Sequence, residues 1–346
     1  MKQMSKKKEY GQFYTHNAKY ILQGMHVKGG LKIVEPFVGD GSLVEWCDGV
    51  DSSLVEKYDI DPRTEGVVVR DTLLDPPDYK GKFVLTNPPY LAKNKAEDKS
   101  IFDKYKTNDL YKCFINSIVT GRVEGGVIIV PLNFICDNHC TQERDMFFSH
   151  YDVERVNVFE EQVFDDTSYT VCSIQFTRAA GVRDRKTFDA YFYPSMVKKS
   201  VEVKKEYDWK IGGDIDRKIE SKYEVSRLLR EGKRPDPREI TNIYLNAIDT
   251  GSSTGRICLK INDVPFYGKN TDRAFATLVI RPPIDLEKQK EVVGRFNSSL
   301  EEARKKHRSL FLVNYRNSTK AYSRKRVKFN LVYNLVKEIL NTVEEE

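Results

Sequence analysis

The chain has 346 residues, 40% of them apolar and 31% charged, with a net charge of +6. No run of about 18 apolar residues occurs, so no membrane span is expected, and the basic opening MKQMSKKKEYGQF has no apolar stretch behind it, so no secretory signal is expected. The six cysteines form no C-x-x-C pair, and Cys136, His139 and Cys140 lack a second ligand pair, so no metal site is expected and reduced thiols in an intracellular protein are.

The first half alternates strand-like and helix-like runs. LKIVEP (31–36) reads as a buried strand and leads into the glycine-rich turn FVGDGS. SLVEKYDID (53–61), GVVVRDT (66–72) and KFVLTNPP (82–89) are further strand-like runs. DLYKCFINSIVTG (109–121) places Leu110, Phe114, Ile115 and Ile118 on one helical side. GGVIIVPLNFI (125–135) is another strand and HCTQERDMFFSHY (139–151) a helix. VERVNVFEE (153–161) and YTVCSIQFTR (169–178) follow each other with no helix between them and are expected to pair as a hairpin. The fold class is therefore α/β, with a seven-stranded Rossmann-like sheet that is parallel where helices intervene and ends in an antiparallel strand.

After about residue 180 the alternation breaks. VRDRKTFDAYFYPSMVKKSVEVKKEYDWK is mixed and basic, EGKRPDPREITNIY reads as a linker or turn, and IDTGSSTGRICLKINDVPFYGKN suggests short strands with polar loops. DLEKQKEVVGRFNSSLEEARKKH and KRVKFNLVYNLVKEILNTV read as helices. Residues 1–180 hold 22 Lys+Arg against 27 Asp+Glu, net −5, whereas residues 181–346 hold 35 against 24, net +11. The expected division is thus a ligand-binding domain at 1–180 and a mixed α+β domain at 181–346. The basic surplus suits a polyanion such as nucleic acid, although a solvated basic surface would read the same way.

In such sheets ligands sit beyond the carboxyl ends of the strands. Glu35, Gly39, Gly41, Asp59, Asp61, Asp71, Asn87 and Tyr90 all follow strand-like runs. The turn is G-x-G without the third glycine of a dinucleotide fingerprint, and no Lys or Arg lies between Lys32 and Lys57 to hold phosphate. Asp59 suits ribose hydroxyls, Asp71 an adenine amine, and Glu35 a cationic amino acid end. An adenosine with such an end and no phosphate, S-adenosylmethionine, fits these groups; a plain βα turn with helix-capping acids is the bland alternative.

Asn87-Pro88-Pro89-Tyr90 stops a strand, as prolines do. It also offers chemistry. The Asn87 side-chain oxygen and the Pro88 carbonyl are two acceptors for the N–H groups of an exocyclic amine, the prolines hold the second acceptor in place, and Tyr90 offers a ring for the base. A base in a duplex reaches such a site only when flipped out. Phe164 is favoured for a second ring face, with Tyr169 as the alternative, and either also reads as core. The loop 91–109 carries Lys93, Lys95, Lys99, Lys104 and Lys106 and reads as a mobile flap meeting phosphates, or as a solvated loop.

GQFYT (11–15), EPFVGDG (35–41), YDIDP (58–62), RDTLLDPP (70–77) and TNPPY (86–90) occur in an order that resembles the gamma-type N6-adenine DNA methyltransferases, amino-methylating enzymes of restriction–modification type. The resemblance covers about residues 9–178 and implies a class I methyltransferase sheet followed by a C-terminal target recognition domain. It implies that Tyr14 and Thr15 hold the methionine end, that Ile60 packs on the cofactor adenine and that Phe164 meets the target base. The expected cofactor set is Tyr14, Thr15, Glu35, Pro36, Phe37, Gly39, Asp40, Gly41, Asp59, Ile60, Asp71, Thr72 and Asn87, with Asp40 lying in a turn that departs from the family's apolar pattern. The catalytic set is Asn87, Pro88, Pro89, Tyr90 and Phe164. Lys93, Lys95, Arg316, Arg324, Lys325 and Arg326 are the DNA candidates. Double-stranded DNA is the implied partner and a cognate restriction endonuclease a further one. RNA adenine and protein glutamine methyltransferases, which share the motif, and an inactive nucleic-acid-binding module on the same fold are the rival readings.

Overall fold

The computed structural model describes residues 11–47, 49–164, 167, 169–249, 256–317 and 323–345. The chain divides into two compact units, Met1–Trp209 and Lys210–Glu346. The boundary falls at 209/210, beyond the expected 180/181.

The first unit is built on one mixed sheet. Its strands are β1 (Ile33–Glu35), β2 (Val55–Asp59), β3 (Val68–Val69), β4 (Phe83–Thr86), β5 (Gly125–Pro131), β6 (Tyr151–Phe159), β7 (Val171–Arg178), β8 (Arg185–Tyr193) and β9 (Val197–Lys204). They lie in the order β3-β2-β1-β4-β5-β7-β6-β8-β9. β1 to β5 are parallel, β7 is antiparallel to both β5 and β6, and β6 runs parallel to β8. The expected hairpin of β6 and β7 is present. β1, β4 and β5 are buried along their whole lengths, as strands covered on both faces must be. Gly126 of β5 has no room for a side chain, since a Cβ there would sit 2.4 Å from Val84 Cγ1.

The crossovers include α1 (Ala18–Ile21), α2 (Ser42–Trp46), α3 (Ser100–Tyr105), α4 (Leu110–Gly121), α5 (Asn133–Cys136) and α6 (Thr141–His150). The sheet has nine strands among the described residues, against seven expected. β8 and β9 are the additional ones. In β8 Phe188, Ala190 and Phe192 are buried while Arg185, Thr187 and Asp189 face outward, so a period-two pattern was present under a high charge density. Trp209 closes the unit: its ring stacks on Phe148 at 5.6 Å and its indole N–H donates to Asp145 Oδ1 at 3.0 Å.

The second unit contains a four-stranded antiparallel sheet in the order β10-β14-β11-β13, from β10 (Glu224–Arg227), β11 (Ile240–Asn246), β13 (Cys258–Ile261) and β14 (Phe275–Arg281). A second sheet is formed by β12 (Ile248–Asp249), β15 (Val313–Asn317) and β16 (Ser323–Arg326). Two helices, α7 (Leu286–His307) and α8 (Phe329–Glu345), match the two helical runs of the sequence. Val292, Phe296 and Leu300 of α7 and Val332, Leu335 and Val336 of α8 share a core with Ile243, Leu245, Leu259 and Leu278. The stretch ITNIY, expected as part of a linker, is instead an inner strand, with Thr241, Ile243 and Leu245 turned to that core.

Candidate active site

A cavity of about 320 Å³ opens in the first unit at the carboxyl ends of β1, β2 and β4. That size falls within the usual range for small-ligand sites. Among the expected cofactor residues, Tyr14, Phe37, Gly39, Asp59, Ile60, Asp71, Thr72 and Asn87 line it. Thr15, Glu35, Pro36, Asp40 and Gly41 stand behind that wall or beside it.

The wall is assembled by backbone groups. Gly39 adopts φ +57°, and a Cβ there would meet the Tyr14 ring at 2.9 Å. Its N–H donates to Asp59 Oδ2 at 2.8 Å, and Asp61 N–H donates to Oδ1 at 2.8 Å. Asp59 therefore fixes the glycine turn and keeps lone pairs for a ligand, since a carboxylate offers about four acceptor sites. Asp71 Oδ1 accepts from the Leu73 and Leu74 N–H groups, both at 3.0 Å. Thr72 Oγ1 donates to the Pro36 carbonyl at 3.0 Å and ties the third strand's turn to the first. Asp40 accepts from the Ser42 N–H and hydroxyl at the start of α2 and lies 3.3 Å from the His16 ring. Ile60 and Leu74 line the cavity yet are 41% and 51% exposed, so their apolar surface lacks protein cover.

The charge of the lining is one-sided. Asp59, Asp71, Glu97 and Asp98 contribute four carboxylates, against the single guanidinium of Arg70. Arg70 is already committed to the Asp75 and Pro76 carbonyls and the Asp75 carboxylate. Behind them Glu35 is buried, with Oε1 accepting from Thr86 Oγ1 and Phe37 N–H and with Oε2 buried without a partner. Burial pushes its carboxyl up to about 8, which the Thr86 and Phe37 hydrogen bonds only partly offset.

Asn87 and Pro89 reach the cavity, and Pro88 is buried behind them. Asn87 Nδ2 donates to the Phe13 carbonyl at 2.8 Å and to Thr15 Oγ1 at 3.2 Å, so the GQFYT segment is pinned to the Asn-Pro-Pro-Tyr turn. Asn87 Oδ1 faces the Tyr90 hydroxyl at 2.6 Å, and that hydroxyl also lies 2.8 Å from the Ile129 carbonyl. The Tyr90 ring is 3% exposed. It packs on Phe13 at 5.5 Å and meets Tyr111 and Tyr169 edge-on at 6.1 Å each, so the face expected to stack on a base is covered. Phe164 is buried and does not line the cavity; of the two hairpin-loop rings it is Tyr169 that approaches Tyr90.

The segment after the turn contains α3 and walls the cavity through Ala96, Ser100, Ile101 and Phe102. Its lysines do not act alike. Lys104 Nζ donates to the Leu73 and Leu74 carbonyls at 3.0 and 2.7 Å, and the Tyr105 hydroxyl to Leu73 at 2.9 Å. Lys93 pairs with Asp103, while Lys95 is exposed. Sequence reasoning passed over Phe13, Leu74, Glu97 and Phe102. The signals were an apolar residue inside GQFYT and the acids and rings interleaved with the lysines of 91–109. In the second unit Arg324, Lys325 and Arg326 lie on β16, with Lys325 Nζ donating to Ser309 Oγ at 3.0 Å. Arg316 is on β15, and its side chain lies outside the described residues.

No protein-family model and no curated protein matches the chain. Solved structures with a partial likeness include a modification subunit from Vibrio vulnificus YJ016 assigned to a type I restriction enzyme, at 12% identity and a TM-score of 0.40, over 61% of this chain and 61% of that one. A chain of a type I restriction–modification system aligns at 17% identity and a TM-score of 0.43, over 53% of this chain and 45% of its own. A type I restriction–modification methyltransferase subunit from Streptococcus thermophilus aligns at 15% identity and a TM-score of 0.38, over 52% and 47%. The chain thus spans less than two thirds of each of these proteins. The functional reading rests on the site.

Proposed function

We propose that the protein transfers a methyl group from S-adenosylmethionine to the N6 amine of an adenine flipped out of DNA. One observation carries the reading: Asn87 stands in the wall of a cavity whose charge is four carboxylates against one committed guanidinium. A phosphate-bearing cofactor would meet like charge there. A cationic adenosine ligand meets opposite charge, with Ile60 and Leu74 for its base, Asp59 for its ribose and Asp71 for its amine. The residues present fit S-adenosylmethionine, which when bound supplies an electrophilic methyl group on a sulfonium.

The chain's own groups do the rest. An exocyclic amine is a weak nucleophile because its lone pair is delocalised into the ring. Acceptors at Asn87 Oδ1 and the Pro88 carbonyl draw on its two N–H groups and favour a tetrahedral nitrogen. The Tyr90 hydroxyl has to release Oδ1 before that bond can form. The amine's surplus proton leaves after transfer to solvent or to a nearby carboxylate. In this reading the second unit recognises the DNA.

The test is transfer of tritiated methyl groups to DNA, RNA and protein, followed by nucleoside analysis. Label is expected in DNA as N6-methyladenine. Label in RNA or in glutamine would replace the substrate assignment, and no cofactor binding at all would overturn the reading. Asn87→Ala should lower transfer by about 10²–10³-fold, the scale for removing one such polar group. Unchanged turnover in that variant would remove Asn87 from the mechanism.

A further inference from the structure

In the second unit, α7 and α8 cover one face of the sheet β10-β14-β11-β13. Alternate residues point to the other face, where Thr277 and Val279 of β14 are buried and the end near β11 and β13 carries rings with exposed surface. There Tyr244 of β11 stacks on Phe275 of β14, with ring centres 5.8 Å apart and planes 20° apart. Phe266 stands edge-on to both at 6.3 Å, its N–H donating to Thr277 Oγ1 at 2.8 Å. Phe275 is 40% exposed and the adjoining Tyr267 47%. Such a patch of aromatic surface on a sheet marks an interaction site.

The surrounding charge selects the partner. Lys260 stands directly across from Tyr244 in the β11–β13 pairing. Arg273 lies two residues before Phe275, and Arg230 donates to the Tyr267 carbonyl at 2.7 Å. No ion pair engages these three side chains among the described residues. The opposing charges are Asp263, hydrogen-bonded to Asn242 at 3.3 Å, Asp272, which accepts from Lys269 N–H at 2.7 Å, and Glu224 at the far edge of the sheet, across from Arg281. Residues 210–346 as a whole hold 28 Lys+Arg against 19 Asp+Glu, net +9. Rings with cations beside them suit bases with their phosphates.

Geometry selects the form of nucleic acid. Four strands about 4.8 Å apart put the outer two about 14 Å from each other, wider than the roughly 12 Å of a major groove. The face is too wide for the major groove, and bases in a duplex have their faces covered by their neighbours, so unpaired bases are the ones with a free face to offer the rings. We propose that this sheet face binds single-stranded nucleic acid, with bases stacked on Tyr244, Phe266 and Phe275 and phosphates on Lys260 and Arg273. The proposal does not depend on the first unit's chemistry.

The test is fluorescence anisotropy of the full chain with labelled oligo(dT), oligo(rU) and a duplex of equal length. Oligo(dT) or oligo(rU) is expected to bind more tightly than duplex, and the stronger of the two assigns DNA or RNA as the source. Tyr244→Ala and Phe275→Ala should each weaken that binding by roughly tenfold, with the thermal unfolding midpoint unchanged as the check on folding. Phe275→Tyr keeps a ring and should keep affinity; Phe275→Leu keeps only the apolar surface and should lose it. Preference for duplex, binding that survives both alanine changes, or a leucine variant as good as phenylalanine would each overturn the proposal.

Discussion

At the scale of single residues the site turns on one proton. The Tyr90 hydroxyl has one hydrogen and two acceptors, Asn87 Oδ1 and the Ile129 carbonyl. Tyr90→Phe leaves the buried carbonyl unsatisfied, so stability should fall by about 1–3 kcal/mol. Denaturant titration measures this, and an unchanged midpoint would mean the hydroxyl contributes nothing to the fold. Glu35 is the second case. Its carboxyl is raised from 4.5 to about 8, chiefly by burial. The folded state therefore holds a proton that the unfolded state has lost between those values. Its stability contribution is full below pH 4.5, is lost as pH rises to about 8, and is constant above. Asp109, raised to about 7 by burial, acts in the same direction. Unfolding free energies measured from pH 5 to 8 should decline less steeply in Glu35→Gln than in the parent. Equal slopes would show that Glu35 is not the source.

At the scale of elements, the segment bearing α3 is tied to the turn after β3. Asp71 holds the Leu73 and Leu74 N–H groups, while Lys104 and Tyr105 hold their carbonyls. Part of the lysine-bearing flap is thus held on the wall of the cavity. Lys104→Met should weaken S-adenosylmethionine binding several-fold with a stability change within about 0.5 kcal/mol, as for most surface changes. Calorimetric titration checks it, and parental affinity would separate the flap from the cofactor wall. Much of the cavity wall was legible because its residues follow strand ends in chain order, where an α/β sheet gathers ligands. The covered Tyr90 ring was not legible. Its neighbours Phe13, Tyr111 and Tyr169 come from three distant segments, and no local pattern reports their packing. The partners of Lys104 were hidden for a related reason: a lysine's partner is set by the turn it meets in three dimensions, not by the charge of its own loop.

At the scale of the whole molecule, the alternation from β1 to β7 was readable because buried parallel strands are continuous apolar runs. β8 and β9 were hidden by charged outward positions, and β11 by the Pro and Gly cluster just before it. β8 and β9, which extend the first sheet, are what carry the boundary to 209/210. The second unit has its own core of sheet and helices. A fragment of residues 210–346 should therefore unfold cooperatively by itself and bind DNA with an affinity that falls as salt rises, since its surplus cations displace phosphate counterions. A fragment without a cooperative transition would show that this core needs the first unit. The large sheet has one further property. Its two outermost strands each present a row of backbone groups that a foreign chain could pair with. β3 is only two residues long, and β9 alternates Val197, Lys199, Val201 and Val203 with Lys198, Ser200 and Glu202. A stub at one border and a row dotted with charge at the other deny an invading strand both length and comfort, so a sheet this wide can remain closed to self-association.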